Sequence, residues 1–270
     1  MPYGWPYVML CLVQASAVLV PRPSPALPWL GRRRLAGLIP LAGIGGAVAL
    51  IEADPSLAQA ATNLAAVATP VAFLAGLATF RVRPAALAVV PLFWLAWKGS
   101  GRPQDLAIDA LIVGAAATLA WLTGTVAPRL ALAVGILIAT AVDVYQVLVS
   151  SSVQPVANAL AVAAPPSDLP HLQQVVWNGA TMGWGDMYLA ALLGTVVAAV
   201  SRRVRLEVAA VVVIAGLANG FQFLALDLIP ATVPVAAALV YALLRERLAR
   251  DTVPASEGGH CHGNDRDAPR

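Results

Sequence analysis

Apolar runs separated by short polar or proline-rich segments make up most of this 270-residue chain. A helix rises about 1.5 Å per residue, so about 20 apolar residues are needed to cross a bilayer. We predict a transmembrane helix in each of nine runs: 3–20, 35–51, 60–80, 84–97, 106–122, 130–149, 177–200, 206–225 and 229–244. The pattern therefore predicts an all-α, polytopic membrane protein.

Two of the runs need comment. The fourth is short and is interrupted by Pro91, and its loss would reverse the orientation of the segments on one side of it. The first contains Ala-Ser-Ala at 15–17, but no basic residue precedes it, which favours a retained span over a cleaved signal peptide. The charged residues after Leu244 are predicted to begin a disordered tail.

Composition agrees with a membrane protein and excludes some partners. Hydrophobic residues make up 59% of the chain and charged residues 11%, against about a quarter charged in soluble domains. The net charge of +3 comes from arginine clusters between the runs, a distribution that orients helices and does not indicate nucleic-acid binding. Cys11 lies in the first apolar run and Cys261 in the tail, so the two cysteines do not predict a disulfide or a metal site. No metal or cofactor is expected.

Two aspartates inside predicted spans are the most informative residues, because a charge in the bilayer costs a few kcal/mol or more. Asp143 lies well inside the sixth span and Asp186 inside the seventh. At helical spacing Asp143 shares a polar face with Thr140, Gln146 and Ser150. The face of Asp186 carries small residues that would let a neighbouring helix approach: Gly179, Gly183, Ala190 and Gly194.

The two aspartates are predicted to lie at similar depth, each roughly 10–14 Å from the loop that joins their antiparallel helices. Two carboxyls in a confined, low-dielectric site cannot both ionise easily, so such a pair holds one proton near neutral pH. That arrangement suits aspartic peptide hydrolysis, in which one carboxylate takes a proton from water and the other carboxyl polarises the carbonyl. A proton- or cation-coupled transporter and a purely structural role are the alternatives.

The sequence Gly-Trp-Gly-Asp at 183–186 resembles the Gly-x-Gly-Asp motif of the presenilin and signal peptide peptidase family of intramembrane aspartyl proteases. Asp143 on the preceding span and Pro-Ala-Thr at 230–232 opening the last span extend the resemblance. It implies nine spans, with the active site between the sixth, seventh and ninth. It also divides the chain into scaffold helices 1–125, catalytic helices 126–245 and a disordered cytoplasmic tail 246–270.

Under this resemblance Asp143 and Asp186 are the catalytic pair, and Gly183 and Gly185 allow close approach around Asp186. Pro230, Ala231 and Thr232 correspond to the substrate-binding Pro-Ala-Leu motif. Thr232 departs from that motif, because it replaces the leucine. Val142 is a second departure, since many members have a tyrosine before the first aspartate. The prepilin peptidases share Gly-x-Gly-Asp and are a further alternative, although Met187 and Tyr188 follow the aspartate here instead of their usual lysine two residues on.

The expected reaction is hydrolysis of a substrate transmembrane helix that unwinds beside the sixth, seventh and ninth spans, with the connection 151–176 as a gate. Among other polar residues, Asp105 and Asp109 are expected at the membrane interface. Asn219 and Gln222 are expected to hydrogen-bond a neighbouring helix.

Arginines predict the orientation. With nine spans, one side carries Arg22, Arg32 to Arg34, Arg81, Arg83, Arg129, Arg202, Arg203, Arg205, Arg245, Arg247 and Arg250. The positive-inside rule then places the N-terminus outside and the C-terminus in the cytoplasm. By resemblance, preferred substrates have cytoplasmic N-termini. A composition rich in Ala, Val and Arg, with Lys98 the single lysine, is typical of a high-GC bacterial gene and so of the plasma membrane.

Overall fold

A computed structural model describes residues 4–23, 38–79, 87–150, 153–165, 169–224, 226 and 228–251. These ranges contain ten α-helices and a two-stranded hairpin. In chain order the elements are α1 Trp5–Leu19, α2 Ile39–Ala53, α3 Leu57–Thr79, α4 Val89–Lys98, α5 Arg102–Val126, α6 Arg129–Tyr145, α7 Val153–Val162, β1 Gln174–Trp177, β2 Ala180–Gly183, α8 Trp184–Val196, α9 Arg202–Asn219 and α10 Val233–Asp251.

Four helical segments among the described residues are long and apolar enough to cross a membrane: Leu57–Ala78, Arg102–Val126, Arg129–Ser150 and Arg202–Leu224. Large apolar side chains are exposed on them, including Leu64, Val71, Leu137 and Ile214, as expected for surfaces that face lipid. The protein is therefore a mostly helical membrane protein. The number of nine spans stays a prediction, because α1 and α4 are shorter apolar helices.

Helix α8 is enclosed by other helices. It packs against α1, α5, α6 and α10, and residues 187–194 are all buried. Gly194 permits the contact with α1, because a Cβ at this position would collide with the Val18 carbonyl oxygen and come within 3.0 Å of Pro21 Cδ. With 13 residues, α8 is about 20 Å long. Its continuous apolar sequence thus reflects contact with protein on all sides.

Within a mostly helical protein, the hairpin β1–β2 corrects the predicted seventh span, 177–200. Strand pairing runs from Gln174 opposite Gly183 to Trp177 opposite Ala180. The turn between them is Asn178-Gly179, with φ of 47° and 87°, and positive φ at both positions is the type I′ geometry that Asn-Gly favours. The helix consequently begins at Trp184 and ends at Val196.

Two other boundaries differ from the sequence expectation. The 151–176 connection contains helix α7, which packs against α2 and α3. Helix α10 continues to Asp251, so the first residues of the predicted 246–270 tail are helical. An ion pair between Arg129 and Glu246 joins this extension to the start of α6. Residues 252–270, with His260, Cys261 and His262, lie outside the described ranges.

Candidate active site

Asp143 lies near the end of α6, just before the helix widens into a π-helical turn at Gln146–Ser150. Its carboxyl is partly buried and accepts hydrogen bonds from Thr232 Oγ1 at 2.6 Å and from Thr232 N at 3.4 Å. Turns of this π-helical kind occur often at functional sites. The widened turn also breaks the regular spacing on which the predicted polar face, from Thr140 to Ser150, depended.

Asp186 lies in the first turn of α8, so the prediction of a position about nine residues inside a helix is wrong. Its Oδ2 accepts a hydrogen bond from Gly183 N at 3.1 Å. This is one half of a capping box, in which the third helical residue reaches back to the backbone N–H before the helix. The positive end of the helix dipole adds to the stabilisation of a carboxylate there. Strand β2 ends at Gly183 and α8 begins at the next residue, so Asp186 lies in the first turn of the helix.

The carboxyls of Asp143 and Asp186 interact electrostatically with each other. They come from α6 and α8, which pack directly together. Among the sequence-predicted site residues, the structure therefore brings the two aspartates and Thr232 to one location. A carboxyl pair of this kind can share one proton and so offer an acid and a base to a single bond.

Thr232 lies at the N-terminus of α10, where its carbonyl oxygen accepts from Val235 N at 3.0 Å and Ala236 N at 3.1 Å. A threonine at this position usually turns its hydroxyl toward its own helix, but here the hydroxyl donates to Asp143. The leucine of the resembling motif has no hydroxyl, so this departure adds a donor to the site.

Gly183 does not belong to the helix-packing face that was predicted around Asp186, whereas the close approach predicted at Gly185 stays a prediction. Gly183 is the last residue of β2, and a Cβ built on it would lie 3.1 Å from Asp186 Oδ2. Gly185 follows in the first turn of α8. The absence of a side chain at Gly183 therefore leaves room for the carboxyl of Asp186, and of the predicted small residues it is Gly194 that admits a neighbouring helix, α1.

Two buried amides support the segment before α10, and sequence analysis missed the first of them. Gln14 Nε2, from α1, donates to Ala231 O at 2.8 Å. Asn219 Nδ2, from α9, donates to Pro230 O at 3.0 Å, and Gln222 Nε2 donates to Asn219 Oδ1 at 2.7 Å. The signal for Gln14 was present in the sequence as an amide inside an apolar run, but its partner lies 217 residues away.

Asp105 and Asp109, which were predicted at the membrane interface, accept hydrogen bonds from the hairpin. Asp109 is 4% exposed, and its Oδ1 accepts from Val176 N at 3.1 Å. Asp105 Oδ2 accepts from Asn178 N at 3.0 Å. Backbone N–H groups on the outer edge of a strand need acceptors, and α5 provides them for β1.

Two of the arginines predicted to be cytoplasmic, Arg129 and Arg205, lie at one end of the helical bundle. Arg129 pairs with Glu246 and donates from Nε to Val196 O at 2.7 Å, which brings the start of α6 and the ends of α8 and α10 together. Arg205 Nη2 donates to Leu19 O at 2.6 Å, which adds the start of α9 and the end of α1. Several residues of the orientation argument lie outside the described ranges, namely Arg32 to Arg34, Arg81 and Arg83.

The sequence matches no model of a known protein family, and a comparison with curated proteins likewise finds no match. The functional argument therefore depends on the residues and their geometry.

Proposed function

We propose that this protein is an intramembrane aspartyl protease that resembles the presenilin and signal peptide peptidase family and uses Asp143 and Asp186. The observation that carries the proposal is the pair of interacting carboxyls at the packed junction of α6 and α8, one of which is hydrogen-bonded to Thr232. Among the described residues no lysine or arginine forms an ion pair with either carboxyl. A shared proton is the physical alternative to a counter-ion.

In the proposed reaction one aspartate of the pair is ionised and the other is protonated. The ionised carboxylate takes a proton from water as the water oxygen bonds to the scissile carbonyl carbon. The protonated carboxyl donates its hydrogen to the carbonyl oxygen, which gives a tetrahedral diol. A proton then passes to the amide nitrogen, the C–N bond breaks, and the products are a carboxylic acid and an amine. The pair regains one shared proton, and no metal or organic cofactor takes part.

Substrate must arrive in extended form, because a helix hides its peptide bonds in internal hydrogen bonds and lipid offers no replacement. The hairpin supports binding of such a chain. Val176 N–H points away from β2 to Asp109, so Thr181, which lies opposite Val176, directs its backbone groups to the outer edge of β2. An extended peptide paired along that edge would lead directly to Gly183 and Asp186.

The proposed substrates are transmembrane helices or remnant signal peptides with cytoplasmic N-termini, in a bacterial plasma membrane. The arginines gathered where α1, α8 and α10 end support the assignment of that end to the cytoplasm. Asp186 is at the opposite end of α8, so the reaction would take place nearer the outer face.

The test is cleavage of a labelled transmembrane peptide by the purified protein in liposomes. Wild-type protein should release the two fragments, and Asp143→Asn and Asp186→Asn should each abolish release while the protein stays folded. Asp54→Asn is the matched control, because Asp54 bonds Ser56 in the exposed turn between α2 and α3. Intact reporter together with proton or cation flux in the wild type would instead establish a transporter.

A further inference from the structure

The Pro230–Thr232 segment is hydrogen-bonded to three different helices at three successive residues. Asn219 on α9 donates to the carbonyl of Pro230, Gln14 on α1 donates to the carbonyl of Ala231, and Thr232 donates to Asp143 on α6. The segment accepts two of these bonds from the side-chain amides of Asn219 and Gln14. It donates the third, from the Thr232 hydroxyl, to Asp143. The amide bonds therefore fix the backbone immediately before the residue that contacts Asp143.

Gln14 is an unexpected residue at this depth. It is 1% exposed and lies in α1 among buried apolar residues such as Leu10, Ala17 and Val18. A buried amide is costly unless it is hydrogen-bonded, so buried positions in a helix such as α1 are usually occupied by apolar residues. Packing alone thus gives no reason for glutamine at this position, whereas the carbonyl of Ala231 does.

The carbonyls of Pro230 and Ala231 lie outside helix α10 in the protein interior, where a backbone carbonyl needs a donor. Water is scarce in the bilayer interior, so protein side chains have to satisfy them. Fixing both carbonyls orients two successive peptide planes. The next N–H, that of Thr232, then points to Asp143 at 3.4 Å.

We infer that Gln14 is a positioning residue of the active site, which acts through Ala231 and Thr232 on Asp143. The inference rests on the proposed protease function and extends it, since it makes α1 part of the catalytic centre. The sequence predicted only a scaffold role for this helix, within residues 1–125. Asn219 supports the same segment from the other side, through the carbonyl of Pro230.

The first experiment compares Gln14→Met with the wild type in the liposome cleavage assay. Methionine keeps the length of the side chain and removes the donor. We expect kcat to fall about tenfold with KM within about twofold, because orientation of Asp143 is lost while the substrate contacts remain. The matched control is Tyr7→Phe, which removes a buried bond of 2.8 Å from the same helix to Gly216 O on α9. It should leave kcat within about twofold of the wild type.

A double-mutant cycle tests whether the effect of Gln14 on Asp143 passes through Thr232. If Gln14 acts through Thr232, the loss in Gln14→Met combined with Thr232→Val should be smaller than the product of the two single losses, because Thr232→Val leaves only the backbone N–H for Gln14 to orient. Independent losses that multiply would overturn the inference, as would full kcat in folded Gln14→Met or an equal loss in Tyr7→Phe.

A second measurement does not depend on catalysis. Hydrogen–deuterium exchange of the peptide 229–236 should become about tenfold faster in Gln14→Met and stay unchanged in Tyr7→Phe. Unchanged exchange in Gln14→Met would reject the positioning role even if activity fell. If the wild type cleaves no peptide but the exchange result holds, the protease proposal fails and the support of the segment by Gln14 stands.

Discussion

Thr232 donates its hydroxyl to Asp143 at 2.6 Å, and its carbonyl oxygen accepts from Val235 N and Ala236 N at the start of α10. The hydroxyl bond places the start of α10 in the same site as α6 and α8, and α10 packs against both helices.

Substitution of Thr232 separates the hydroxyl from the shape of the side chain. Thr232→Val keeps the branched shape and should lower kcat about tenfold or more, because Asp143 loses its closest donor. Thr232→Ser keeps the hydroxyl and should stay within about threefold of the wild type. The measurement is peptide cleavage in liposomes, with circular dichroism as the check of folding. Equal activities of the two variants would remove the hydroxyl from the mechanism.

Gly183 should be sensitive to the smallest added side chain. A Cβ at this position would lie 3.1 Å from Asp186 Oδ2, so Gly183→Ala displaces the carboxyl or breaks its bond to Gly183 N. We expect cleavage to fall about tenfold, with a small change in stability. Gly46→Ala in α2 is the control, since a Cβ there meets no atom within 4 Å among the described residues. Comparable losses in both variants would indicate a general effect of alanine.

Substitution of Asp109 tests how much the hairpin contributes to stability and to cleavage. Asp109→Leu leaves the N–H of Val176 without an acceptor and should destabilise the protein by about 1–3 kcal/mol. It should also lower cleavage, because the hairpin positions the start of α8. Asp109→Asn retains an oxygen that can accept from Val176 and should have a smaller effect on both. Thermal unfolding followed beside activity gives the comparison, and a variant Asp109→Leu as active as wild type would argue against the role of the hairpin.

The orientation can be tested by cysteine labelling in intact cells, in a Cys261→Ser background. A cysteine at Ser167 should react with an impermeant thiol reagent, because the predicted topology puts the 151–176 connection outside. A cysteine at Ser256 should react only after the cells are opened. The reverse pattern would place the N-terminus in the cytoplasm and overturn the proposed substrate direction.

Each of the nine apolar runs overlaps a helix of the described residues, because lipid and protein cores both select for apolar sequence. They misplaced the start of α8, since Val175, Trp177 and Met182 are as apolar in a buried hairpin as in a helix. The dipeptide Asn178-Gly179 is a local signal for a hairpin turn. The helical prediction instead placed Gly179 on the small-residue face of Asp186.

Other features could not be read from the sequence, because they depend on contacts between distant residues. The bond from Thr232 to Asp143 joins positions 89 apart, and that from Gln14 to Ala231 joins positions 217 apart. A sequence pattern identifies an unusual amide or hydroxyl in an apolar run, but the packing of α1, α6 and α10 decides what it meets. The departure at Thr232 looked like a weakening of the motif and instead adds a hydrogen bond.

The enclosure of α8 has a consequence for how the protein responds to its lipids. A helix that faces lipid tilts or distorts the bilayer when its apolar length and the hydrocarbon thickness differ. Helix α8 has protein neighbours along residues 187–194. A difference between helix length and bilayer thickness therefore acts on the outer helices and affects Asp186 only through them. The depth of Asp186 is thus set by its packing inside the protein, and the bond it would cut should stay the same in thin and thick membranes.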